Sequence, residues 1–148
     1  MSDRMSDGSS FRNPTDERMR EILAQMKRVA VVGISPKEDR PSHGIAKFLL
    51  GRGVEVVGID PVQRGPIMGI EVFPTLADVP GKVDIVDIFR RSDAVPPIVD
   101  EAIARRDGCV WLQEGVVNEE AAAAAQAAGL DVIMDRCLYK DWLRLLNG

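Results

Sequence analysis

The sequence predicts an α/β fold: a doubly wound sheet of about five parallel strands, helices on both faces, and an N-terminal helix in front. Three observations carry this expectation. Short, almost wholly apolar runs recur along the chain, as in strands covered on both sides. Segments with helical apolar spacing separate them, and strand–helix–strand repeats imply right-handed crossovers and a parallel sheet. The length, 148 residues, suits one domain on a prior of ~100–200 residues per domain.

Met1 to Asn13 is polar and reads as a disordered tail, leaving 14–148 as a single domain. Pro14 opens a helix in which Met19, Ile22, Leu23 and Met26 form one apolar stripe, with Asp16 and Glu17 in its first turn. The strand runs are Val29–Gly33, Val54–Ile59, Val83–Phe89, Cys109–Leu112 and Asp131–Met134. Between them, Ser42–Arg52 carries Ile45, Phe48 and Leu49 on one side. Val95, Ile98, Val99, Ala102 and Ile103 repeat at helical spacing. Asn118 caps an alanine-rich helix to Ala128, and Leu138–Leu146 forms the last helix. Pro61–Pro80 is rich in Pro and Gly, a loop with a short extended piece around Ile70–Phe73. Trp111, Trp142 and Cys109 read as packing residues.

Composition removes several functions. Lys+Arg 19 against Asp+Glu 23 gives a net charge of −4, which disfavours nucleic-acid or anionic-membrane binding. No apolar run approaches the ~18–20 residues of a membrane span. Two cysteines and one histidine cannot build a disulfide scaffold or a multi-histidine metal site. A polar start and reduced thiols point to the cytoplasm.

Open α/β sheets bind ligands beyond the carboxyl ends of their strands. There the chain places Gly33, Ser35, Pro36, Lys37, Arg40 and Ser42 after strand one, and Asp60, Pro61 and Arg64 after strand two. Phe89, Arg90 and Arg91 follow strand three, Gln113, Glu114 and Gly115 strand four, and Arg136 strand five. A glycine, hydroxyls and two cations ahead of a helix suit a phosphate. The dinucleotide fingerprint fails, because Ser35 and Glu38 stand where its second and third glycines belong. Asp60 keeps a nicotinamide-binding reading open, although it lies further beyond Gly33 than the usual ~20 residues, and an Asp-Pro turn explains it equally well. Strand-end placement turns at least one of Arg90 and Arg91 into the site; the alternative is a solvated pair that balances Asp87 and Asp93. His43 has no evident catalytic partner and reads as a surface residue at a helix start. Cys137 reads as a small packing residue, with a thiolate beside Arg136 as the alternative.

Six segments in order carry a family resemblance: Val31–Lys37, Arg40–Ser42, Asp60-Pro61, Val86–Ser92, Trp111–Val116 and Val132–Cys137. Over Met26–Tyr139 the chain resembles the small stand-alone CoA-binding proteins of the YccU type. These are similar to the CoA-binding domain of the succinyl-CoA synthetase α subunit. The resemblance implies a Rossmann-like domain that binds coenzyme A or an acyl-CoA. Gly33–Lys37 with Arg40 would hold phosphates, and Asp60 to Arg64 would sit at the adenosine end. Phe89–Arg91 and Gln113–Gly115 would line the pantetheine arm and help fix the diphosphate. Asp60 departs from the family's usual Asn, and the synthetase's phosphorylated histidine has no counterpart here. Ligand binding without catalysis is therefore the expectation. The alternatives are an NAD(H) sensor or oxidoreductase using Asp60, and an interaction protein with a vestigial pocket. In the last case Leu143, Leu145 and Leu146 would meet a partner or a second copy.

Overall fold

The computed structural model describes residues 11–146. Its elements are α1 (Asp16–Gln25), β1 (Arg28–Val32), α2 (Pro41–Gly51), β2 (Glu55–Ile59), β3 (Val72–Phe73), β4 (Ile85–Ile88), α3 (Val95–Arg105), β5 (Cys109–Leu112), α4 (Glu119–Ala127), β6 (Asp131–Met134) and α5 (Leu138–Leu146). The six strands form one sheet in the order β3-β2-β1-β4-β5-β6, and every neighbouring pair is parallel. This is a Rossmann-like doubly wound α/β fold. The order reverses between β1 and β4, which opens a crevice at the carboxyl ends of those two strands.

The sixth strand was not expected. β3 is two residues long and pairs only with β2, through Gly58–Val72 and Ile59–Phe73. So short a strand, flanked by proline and glycine, shows no periodicity of its own.

Alternation along the strands divides the core into two layers. Ala30, Val32, Val86, Ile88, Val110 and Leu112 face α3 and α4, where Val95, Val99, Ala102, Ala121, Ala122 and Ala125 close over them. Val29, Val31, Ile85, Cys109, Trp111 and Ile133 face α1, α2 and α5, meeting Leu23, Ile45, Leu49 and Leu138. Alanine in α4 suits its place, since small side chains let that helix lie close to the sheet. Trp111 is fully buried, and its ring N–H donates to the Arg136 carbonyl at 2.9 Å.

Caps fix two helix starts. Thr15, one residue after Pro14, accepts from the Arg18 amide, so α1 begins at Asp16. Asn118 accepts from the Ala121 amide at 3.0 Å and starts α4.

Residues 1–10 of the expected tail lie outside the described residues. Beyond them, Phe11 packs against the α3–α4 layer. The Asn13 amide side chain donates to the Met134 carbonyl at 3.0 Å and accepts from its N–H at 2.7 Å. It thereby meets backbone groups that the edge strand β6 would otherwise leave unpaired.

The amino-end rim of the sheet is closed by charges used for structure. Asp84 accepts from the Lys27 and Arg28 amides. The Arg28 guanidinium donates to the Pro80 and Lys82 carbonyls and to Glu55. Arg105 donates to the Val79 and Gly81 carbonyls and pairs at 2.8 Å with the buried Asp107, which accepts from the Val83 amide.

Candidate functional site

Gly33 sets the shape of the carboxyl-end crevice. Its φ is +87°, and its N–H donates to the Ile59 carbonyl at 2.8 Å. A Cβ there would lie 2.7 Å from the Phe89 carbonyl oxygen and 3.0 Å from Arg90 Cδ. The chain after β1 can therefore lie against the chain after β4 only because this residue is glycine.

Two adjoining hollows follow from that turn. One, of about 380 Å³, is lined by Lys37, Arg40, Asp60, Pro61 and Val62. The other, of about 240 Å³, is lined by Pro41, Ser42, Gln113, Glu114 and Val116. Gly33, Ser35, Arg40, Phe89 and Arg90 line both, so the two are parts of one cleft.

Its electrostatics are cationic. Among the described residues, Lys37, Arg40 and Arg90 have no carboxylate within ion-pair distance. Arg40 caps α2 without a side-chain hydrogen bond and Pro41 follows at the first helical position. The His43 and Gly44 amides donate to the Arg40 carbonyl, which leaves the amide of Ser42, a cleft residue, as the first-turn donor without an intrahelical partner. The acids are engaged elsewhere: Glu114 pairs with Lys140 at 3.0 Å, and Asp60 accepts from the Val62 amide at 3.2 Å in an Asx turn.

The cleft thus gathers Gly33, Ser35, Lys37, Arg40, Ser42, Asp60, Pro61, Phe89, Arg90, Gln113 and Glu114. Five other residues expected at the site take different places. Arg91 turns outward to Asp93 at 2.7 Å, so Arg90 alone of the pair faces the cleft. Arg136 pairs with the buried Asp141. Arg64 and Pro36 are exposed loop residues away from the lining. Gly115 donates its N–H to Asp135 at 2.7 Å and shapes the turn beyond Glu114.

Two further readings, of His43 and Asp87, change, while Cys137 keeps its place as a packing residue. His43 is buried at the start of α2, not a surface residue. Cys137 is half-buried and packs against the α1–α2–α5 layer. Asp87 balances neither arginine. It lies within β4, in register with Val31 and Trp111, is fully buried, and both its oxygens lack hydrogen-bond partners. Burial pushes its pKa well above the ordinary carboxylate range, which favours its protonated form. The sequence carries one signal of this: a lone acid inside an otherwise apolar strand run.

Gln113 is the second buried polar group without a full set of partners. It is 6% exposed, lines the cleft, and its Oε1 is unpartnered. A donor is what this group lacks, and the cleft is where a ligand would bring one. Among the described residues no group of three or more His, Cys, Asp or Glu side chains could hold a metal ion. No helix there is long and apolar enough to cross a membrane.

Comparison with known proteins bears on family and fold. The family described as a CoA binding domain matches residues 27–142. An uncharacterized protein of Bacillus subtilis (strain 168), YneT, is 36% identical over 128 residues, covering 86% of this chain and 94% of that protein. A hypothetical protein from Pyrococcus horikoshii OT3 superposes with a TM-score of 0.86 at 34% identity, covering 93% of this chain and 98% of that one. An acetate–CoA ligase (ADP-forming) of Archaeoglobus fulgidus is 29% identical over 80% of this chain, which spans only 18% of the ligase.

Proposed function

The chain belongs to the CoA binding domain family, and on that premise we propose that the cleft over the carboxyl ends of β1, β2, β4 and β5 binds coenzyme A or an acyl-CoA. The observation that carries the reading is the set of cations around Gly33: Lys37, Arg40 and Arg90, without carboxylate partners among the described residues. Unpaired cations beside a helix N-terminus form a receptor for phosphate groups.

The residues fit the ligand at both ends. Gly33 lets the turn after β1 lie against the Phe89 backbone, and the two turns together form the floor on which a diphosphate would rest. Gln113 offers a buried amide with an unpartnered oxygen to the amide-bearing pantetheine arm. Lys37, beside Asp60 and Pro61, would meet the phosphorylated ribose. The role is that of a binding module: the cleft residues hold and orient a ligand, and no nucleophile–base pair joins them.

Isothermal calorimetry with coenzyme A, with NADH as the control ligand and at two temperatures, tests the reading. Saturable heat with coenzyme A and none with NADH is expected. Heat with NADH alone would overturn it and make Asp60 the informative residue.

A further inference from the structure

A concavity larger than either part of the cleft lies beside it. This groove, of about 780 Å³, runs between α2 and α5. Its floor is aromatic: Phe48 meets Tyr139 edge-on at 4.8 Å and Trp142 at 5.3 Å.

Two of its wall residues are glycines of α2, Gly44 and Gly51, seven positions apart and so on one helix face. Neither has a positive φ, and a Cβ at either would meet nothing within 4 Å. Backbone conformation and packing therefore give no reason for glycine, which destabilises a helix. What the two glycines do is keep the groove open.

The groove is continuous with the cleft. Pro41 lines both, at the end of the cleft that holds Gln113 and Glu114. The Lys140–Glu114 ion pair ties the α5 wall to the same rim. Along this line the chemistry changes in one direction. Lys37, Arg40 and Arg90 come first, then the Gln113 amide, then a mostly apolar trough whose cations are Lys47 and Arg52, the latter stacked over the Trp142 ring at 4.5 Å. An acyl thioester of coenzyme A has the same order: phosphates, an amide-bearing arm, then hydrocarbon.

We propose that the α2–α5 groove takes the alkyl chain of an acyl-CoA whose coenzyme A portion occupies the cleft, so that the ligand class is the medium-chain acyl thioester. This rests on the reading of the cleft given above.

The test titrates coenzyme A, acetyl-CoA and octanoyl-CoA calorimetrically into the wild-type protein and into Gly44→Leu, with melting temperature as the folding control. Gly44 lines the groove and not the cleft. Octanoyl-CoA is expected to bind the wild type about tenfold or more tightly than coenzyme A, because buried CH₂ groups add affinity. Acetyl-CoA should match coenzyme A. Gly44→Leu should bring octanoyl-CoA down to the affinity of coenzyme A and leave coenzyme A unchanged. Leu143→Glu, on the opposite wall, repeats the test should Gly44→Leu fail to fold.

Equal wild-type affinity for coenzyme A and octanoyl-CoA would overturn the groove assignment and leave the cleft reading standing. Absence of binding by all three would overturn both. A wild-type dimer in sedimentation that Gly44→Leu splits, without any chain-length preference, would assign the groove to a second copy.

Discussion

At the amino-end rim of the sheet, Arg28 and Arg105 are held by the fold, while at the carboxyl-end rim Arg40 and Arg90 face a cleft with no carboxylate partner among the described residues. One rim joins its charges to backbone carbonyls and to acids, of which Asp107 is buried. The other keeps donors and cations unmatched around a glycine turn. Residues chosen for stability satisfy one another, whereas residues chosen for a ligand remain incomplete without it.

Breaking the amino-end rim should have the largest effect. Arg105→Ala leaves Asp107 buried without its cation, and losing one partner of a buried pair costs about 3–5 kcal/mol. Chemical denaturation should show that loss, while the affinity of the remaining folded protein for coenzyme A stays as in the wild type. A stability change confined to a few tenths of a kcal/mol would erase the distinction between the rims.

The carboxyl-end rim should respond in the opposite way. Arg90→Ala is expected to weaken coenzyme A binding by about 1.5–3 kcal/mol, the contribution of a charge-assisted contact. Its melting temperature should hold, since Arg90 is exposed and has no ion-pair partner among the described residues. Weakened binding with an equally lowered melting temperature would make Arg90 a structural residue.

Asp87 sharpens the comparison, because it is unsatisfied yet lies in the core below the cleft. An unfolded Asp ionises near pH ~3.9, whereas burial holds the proton on folded Asp87 to higher pH. Between those two values the native state binds more protons than the unfolded state. Its contribution to stability is therefore fullest below the unfolded pKa and declines as pH rises toward the folded one, by about 1.4 kcal/mol per pH unit. Asp87→Asn should remove that slope when denaturation is followed from pH 4 to 8. An identical slope in the variant would mean that Asp87 is ionised in the folded protein.

The smallest effect is expected at Arg91. Its pair with Asp93 is fully exposed and outside the cleft, so Arg91→Ala should change neither coenzyme A affinity nor melting temperature. A loss of affinity like that of Arg90→Ala would return it to the site.

Much of the fold and part of the cleft are legible in the sequence. The five apolar runs became β1, β2, β4, β5 and β6 because strands covered on both faces must be apolar throughout. The turns after them placed Gly33, Arg40 and Gln113 at one rim because all parallel strands end on the same side. What stayed hidden depended on contacts between segments. β3 exists only through its pairing with Gly58 and Ile59. Arg90 and Arg91 are alike in type and adjacent, and only the structure shows that Asp93, two residues on, holds Arg91 and not Arg90. The α2–α5 groove joins Gly44 to Trp142, far apart in the chain, so no window of sequence contains it.

The claim that the cleft's unpartnered cations hold coenzyme A is tested most directly by titrating it calorimetrically into the wild type and an Arg40→Ala/Arg90→Ala variant, each with its melting temperature measured. Saturable wild-type binding is expected, with a loss of about a hundredfold or more in the variant, as two charge-assisted contacts disappear, and no change in melting. Equal affinity in the two proteins would contradict the account.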